Sequence, residues 1–182
     1  MILGPKITLR GLELNDVTEL IKYYNDKDFM NYSGRIGPIS LEEGEEWIRQ
    51  SWKDRREGKR YTFAIEVNEN NKYIGNISIK ILNNISQRAD ISIGIFNPKY
   101  RDKGLGTEAL RLLIEFGFKK LNLMSIELRV FANNKRAIAS YEKLGFKKIG
   151  YRRKADLIEG EFMDDLMMDL LIDEWKEQNQ KM

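Results

Sequence analysis

The chain has 182 residues, 42% hydrophobic and 32% charged, with a formal net charge of +3 and neither cysteine nor histidine. That length leads us to expect one domain over residues 1–182, with enough apolar residues for a real core. The missing residue types exclude disulfides, zinc–thiolate centres, cysteine nucleophiles and histidine-based triads or general bases.

Lys6 to Arg10 alternates and predicts a short strand. Asn15-Asp16 offers a helix cap before Val17, Leu20, Ile21 and Tyr24 at helical spacing. Ser40-Leu41-Glu42-Glu43 is a capping box that opens a helix running to about Arg56 and ending at Gly58. The acidic run Glu42, Glu43, Glu45, Glu46 has two readings: it favours a cationic acceptor, or it complements the positive end of its own helix. Strands are predicted over Tyr61–Val67, Tyr73–Leu82 and Ala89–Phe96, separated by Asn-rich turns, as an antiparallel meander. In the third, Ile91, Ile93 and Ile95 face one side while Ser92, Gly94 and Phe96 face the other.

After Asn97-Pro98 the period changes. Leu105, Ala109, Leu112, Leu113 and Phe116 mark an amphipathic helix. Ser125–Phe131 follows as a strand, and Asn134–Leu144 as a helix stopped by Gly145, which suits a left-handed C-terminal position. Phe146–Tyr151 and Phe162–Leu171 close the order as strands, with an amphipathic terminal helix or a dimer contact near Trp175. The basic residues Lys147, Lys148, Arg152, Arg153 and Lys154 read as a solvated strand edge that discourages aggregation, or as a phosphate-facing patch.

The chain lacks an apolar run of about 18 residues, and its start lacks the pattern of a secretory signal, so a soluble cytoplasmic protein with no membrane association is expected. The mild charge gives no ground for nucleic-acid binding. No carboxylate spacing suggests a metal site, and none is expected.

The segment Asn97 to Thr107 carries the chemistry. A strand ends, a glycine-bearing turn follows and a strong helix begins, so the first helical N–H groups lack acceptors and form an anion site with the helix dipole. Glycines at 104 and 106 let a phosphate approach the backbone. Arg101 and Lys103 add charge, and the Thr107 hydroxyl offers another donor. The alternative is that two glycines merely turn a strand into a helix. Gly104-x-Gly106-x-x-Ala109, with Glu127 downstream, matches a dinucleotide fingerprint, but that fingerprint belongs after the first strand of repeated βαβ units and here follows a meander. Further on, Asn134 and Tyr141 stand seven residues apart and within about 20° on one helix face.

R-x-x-G-x-G at Arg101 to Gly106 and N-x-x-A-x-x-x-Y-x-x-x-G-F at Asn134 to Phe146, in that order, resemble the two motifs of the GNAT acetyltransferases. Within that superfamily the chain looks most like the spermidine acetyltransferases and the ribosomal-protein N-terminal acetyltransferases. The resemblance implies an α+β fold: a mixed, mostly antiparallel sheet of about six to seven strands with helices on both faces. It implies acetyl-CoA as co-substrate and acetyl transfer to a primary amine by direct attack in a ternary complex. It also implies the roles. Backbone of Gly94, Ile95 and Phe96 would pair with the pantetheine. The turn Arg101, Asp102, Lys103, Gly104, Leu105, Gly106 and Thr107 would hold the pyrophosphate. Asn134 would hydrogen-bond the cofactor, and Tyr141 would protonate the leaving thiolate.

A backbone N–H near Ile95 could stabilise the charge that develops on the carbonyl oxygen. Asp90, Glu66 or a water chain are the candidates for taking the amine proton. The acceptor, a protein N-terminus or a small amine such as a polyamine, would meet the two N-terminal helices, the Asn31–Ile39 loop with Tyr32 and Arg35, and the region of Asp156–Phe162. Polyamine enzymes carry a glutamate pair where this sequence has Ser78 and Ile81. The strand before Pro98 is one residue longer than the family pattern, which a β-bulge would absorb. A non-catalytic acyl-CoA-binding regulator on the same fold is the alternative function, and a homodimer is possible.

Overall fold

The computed structural model describes residues 1–26, 30, 37–158 and 160–180. Tyr32 and Arg35 lie outside them. Eight strands form one sheet in the order β1-β2-β3-β4-β5-β6-β8-β7. They are β1 (Ile2–Leu3), β2 (Ile7–Arg10), β3 (Arg60–Val67), β4 (Lys72–Asn83), β5 (Arg88–Ile95), β6 (Ser125–Phe131), β7 (Lys147–Ile158) and β8 (Glu161–Leu171). The additional strand against expectation is the two-residue β1, too short to carry an alternation signal. The described helices are α1 (Val17–Tyr24), α2 (Leu41–Arg56), α3 (Leu105–Lys120), α4 (Lys135–Lys143) and α5 (Ile172–Gln180).

The chain divides into two compact units, residues 1–80 with 92–113 and residues 81–91 with 114–182. In the first, β2 and β3 pair antiparallel, as do β3 and β4. The β3–β4 register slips between Ile65 and Glu66, where Ile65 faces Gly75 but Glu66 faces Tyr73. Ile74 is therefore the extra residue of a bulge. The predicted capping box of α2 is present, with Glu43 N–H donating to Ser40 Oγ at 3.1 Å and Ser40 N–H donating to Glu43 Oε2 at 2.6 Å. Leu12, Val17, Leu20, Ile48, Ala64, Tyr73 and Phe96 bury together as one apolar cluster. Trp52 closes that cluster, its indole N–H donating to the Leu12 carbonyl at 2.8 Å.

Arg10 ties this unit electrostatically. Its guanidinium reaches Asp16 at 2.7 Å and Glu66 at 2.5 Å. The bond to Asp16 is the main cause that raises its pKa above the ordinary arginine value, outweighing the opposing effect of burial.

In the second unit β5 pairs parallel with β6 over Arg88–Asp90, and β8 pairs antiparallel with both β6 and β7. Strand β7 is the sheet edge and carries the basic run. Lys147 reaches Glu174 at 2.5 Å and Lys148 reaches Glu142 at 2.9 Å. Gly145 takes the expected left-handed conformation, φ 95°. A Cβ there would also collide with the side chain of Gln178, a second reason for glycine that the sequence conceals. Helix α5 packs Trp175 on Phe118 with ring centroids 5.3 Å apart. No described helix is long and apolar enough to cross a membrane.

Candidate active site

In the first unit the end of β5 and the start of α3 are built against each other. Phe96 N–H donates to the Ile74 carbonyl at 2.9 Å, so this amide is spent on β4. Alternation along a strand then directs the Ile95 N–H away from β4. Of the expected Gly94, Ile95 and Phe96, only the central residue therefore offers its amide on the side opposite β4. The Gly94 carbonyl passes so close to Gly75 that a Cβ on Gly75 would overlap it.

Arg101 does not project into solvent. Its Nε donates to the Ile95 carbonyl at 3.0 Å and its Nη2 to the Phe96 carbonyl at 3.1 Å. The arginine thus fixes the turn to the strand it leaves. A short 3-10 turn over Pro98–Tyr100 precedes it, capped by the Asn97 side chain, which accepts from Lys99 N–H at 3.0 Å. Asp102 and Gly104 adopt left-handed conformations, φ 60° and 77°. Lys103 lies over the Tyr100 ring at 5.6 Å.

The first intrahelical bond of α3 runs from Glu108 N–H to the Gly104 carbonyl at 3.0 Å. The amides of Leu105, Gly106 and Thr107 precede it and have no intrahelical acceptor. Gly106 lacks a positive φ, and a Cβ there would meet only Ile95 and Ile93 side-chain atoms at 3.7 and 3.8 Å, an ordinary contact. Packing does not demand a glycine at 106, and glycine in a helix costs about 1 kcal/mol relative to alanine. The open position is Gly104, where a Cβ would meet nothing within 4 Å, and it lets an anion approach the exposed amides. On this ground the turn fits a diphosphate.

The same turn is anchored from behind. Glu108, 9% exposed, accepts N–H bonds from Lys6 at 2.8 Å and Ile7 at 3.1 Å through Oε1.

In the second unit, Asn134 is the N-cap of α4, its Oδ1 accepting from Ala137 N–H at 3.1 Å. Tyr141 is half-buried and packs edge-on to Phe146 at 5.9 Å. Of the candidate bases, Glu66 is engaged by Arg10 at 2.5 Å. Sequence reasoning passed over the Tyr73–Asn76 pair of β4, joined by a hydroxyl-to-Oδ1 bond of 2.8 Å. The available signal was Asn76 and Ser78 at alternate positions of a strand otherwise rich in isoleucine.

The profile of the acetyltransferase (GNAT) domain matches residues 6–147. The uncharacterised N-acetyltransferase p20 of Bacillus licheniformis is 29% identical, over 91% of this chain and 93% of that protein. The spermidine N(1)-acetyltransferase of Vibrio cholerae is 28% identical, over 93% of this chain and 95% of its own. A crystal structure of the Vibrio cholerae spermidine N-acetyltransferase with CoA and spermine superposes with a TM-score of 0.85 at 26% identity, covering 95% of this chain and 99% of that one. The relatives agree with the resemblance carried by the two motifs, and the mixed sheet agrees with the expected α+β class. The chain belongs to the GNAT family and is an acetyl-CoA-dependent N-acetyltransferase.

Proposed function

We propose that the chain transfers acetyl from acetyl-CoA to a primary amine by direct attack in a ternary complex, the acceptor being a peptide N-terminus or a small amine. The single observation that carries this reading is the open, left-handed Gly104 beside the amides of Leu105, Gly106 and Thr107, which precede the first intrahelical bond. Acetyl-CoA supplies an activated acyl carbon and a thiolate leaving group.

The chain's own part is positioning and charge management. Amides of residues 105–107, with Gly104 allowing the turn, take the diphosphate. Arg101 keeps that turn and the end of β5 in one geometry. Ile95 N–H, directed away from β4, stabilises negative charge on the carbonyl oxygen as the amine attacks. Tyr141 gives its phenolic proton to the departing sulfur. Asn134 contributes to the cofactor from the start of α4. Holding both reactants together supplies a large part of the rate.

Tyr141→Phe tests the assignment. Turnover measured by CoA release is expected to fall at least about 100-fold, the span typical of a lost general acid. CoA affinity by calorimetric titration should stay within a factor of a few. Undiminished turnover in the variant removes Tyr141 from the mechanism, and failure of the parent protein to bind CoA removes the whole reading.

A further inference from the structure

Asn76 is 7% exposed, and its Oδ1 is occupied by the Tyr73 hydroxyl at 2.8 Å. Its Nδ2 is buried and has no hydrogen-bond partner among the described residues. A buried amide N–H group left unpaired pays its full desolvation penalty, so each one in a folded protein calls for an explanation.

The neighbours of Asn76 explain where its unpaired donor stands. Two of the contacts between β4 and β5 bracket it: Phe96 N–H to the Ile74 carbonyl at 2.9 Å, and Ser78 Oγ to Ser92 Oγ at 2.9 Å. Midway between them Asn76 falls opposite Gly94, and the period of two puts both on the face that carries Ser78 and Ser92. On its other flank Asn76 faces Ala64 of β3. The side chain therefore stands between the two smallest neighbours a strand can offer. Along the strands it is flanked by the Ser78–Ser92 hydroxyls and by the rings of Tyr73 and Phe96, 6.1 Å apart.

The strand residues that flank Asn76, Ala64 and Gly94, carry no charge. Strand β4 carries no carboxylate along Lys72–Asn83. Glu66 on β3 is already bound to Arg10 at 2.5 Å. Asp90 of β5 shares the face of Ser92 and Gly94 but lies four residues beyond Gly94, past Ser92.

We propose that Asn76 selects the acceptor by donating its unpaired Nδ2–H to a carbonyl oxygen next to the attacking amine, so that the acceptors are α-amino amides, the chemical class of peptide N-termini. This rests on the acyl-transfer reading, which puts the reacting thioester at Ile95, one residue from Gly94. An α-amino amide brings the acceptor oxygen that Nδ2 lacks. A polyamine brings only donors and positive charge, so it leaves Nδ2 unpaired. A site that hydrogen-bonds one substrate group discriminates against analogues without it, because its own polar group is left unsatisfied.

The test measures kcat/KM by CoA release with acetyl-CoA and three amines: a short peptide amide with a free N-terminus, an isosteric amine lacking the carbonyl, and spermidine. The parent protein is expected to prefer the peptide amide over both others by roughly 10–100-fold. Asn76→Leu should abolish that preference by lowering the peptide amide alone, even though it also takes the acceptor from the Tyr73 hydroxyl and lowers stability. A purely structural asparagine would instead lower all three activities together. Asn76→Asp, which keeps the size and replaces the donor by an anionic acceptor, should shift preference towards spermidine.

A parent protein that prefers spermidine overturns the inference and leaves acyl transfer standing. So does Asn76→Leu with its preference intact. Absence of CoA release with every amine sinks the acyl-transfer reading and this inference with it.

Discussion

Glu108 Oε1 accepts the Lys6 backbone N–H at 2.8 Å, joining the approach to β2 to the first turn of α3. A second bond from Ile7 at 3.1 Å goes to the same oxygen. Removing the carboxylate leaves two backbone donors without their acceptor. Glu108→Ala is expected to destabilise the fold by about 2–3 kcal/mol, the span for hydrogen bonds to a charged group. Urea unfolding checks this, and a loss below ~0.5 kcal/mol would mean that the anchor is replaced by water.

Gly106→Ala separates folding from ligand binding. The added Cβ meets Ile93 and Ile95 at ordinary contact distances, so stability should be unchanged or higher by up to about 1 kcal/mol. The same methyl faces those β5 side chains and leaves the turn amides accessible, so CoA affinity should stay within a factor of a few. Thermal unfolding and calorimetric titration on one preparation give both answers. A roughly tenfold loss of CoA affinity in the variant would show that the methyl intrudes on the ligand instead.

Asn134 caps α4 and is also proposed to reach the cofactor, and substitution can tell these roles apart. Asn134→Asp keeps an oxygen for Ala137 N–H and should hold the stability. Asn134→Ala should lose about 1 kcal/mol. If both variants lose CoA affinity while only the alanine variant loses stability, the side-chain amide has a second role. If affinity follows stability, the residue is a cap alone.

Asp169 stands across the strands from Glu127 on β6 and Lys147 on β7. Desolvation first, and then the charges of Glu174 and Glu127, push its pKa above the ordinary carboxylate value. The folded state therefore binds this proton more tightly than the unfolded chain does. At acid pH, where both states are protonated, there is no penalty. As pH rises through the folded value, the ionised group costs stability. Asp169→Asn should melt above the parent near neutral pH, with a gap that closes as pH falls through the carboxylate range. A gap independent of pH would assign the effect to packing.

The elements of the fold were legible wherever the period was long and its ends were marked. Ser40 and Glu43 announced α2, and the step from alternation to the 105, 109, 112, 116 pattern announced α3. The full length of β7 was hidden, because its exposed, charged residues show little alternation of burial and only its pairing with β8 defines it. Of the candidate site, the turn was legible because Gly104 must be left-handed. The engagement of Arg101 with two carbonyls was not, because a guanidinium near a phosphate turn reads first as a phosphate ligand. Asn76 escaped because its meaning depends on Ala64 and Gly94, which stand beside it only after the strands pair.

The crowding of Gly75 against the Gly94 carbonyl channels how this protein can diverge. Only main chain fits at that crossing, so a library randomised at 75 should return glycine among its folded members. Asn76 and Ser78 project from the opposite pleat, so substitutions there do not meet that crossing. New acceptor preferences can therefore accumulate one step along the chain from a position that stays fixed.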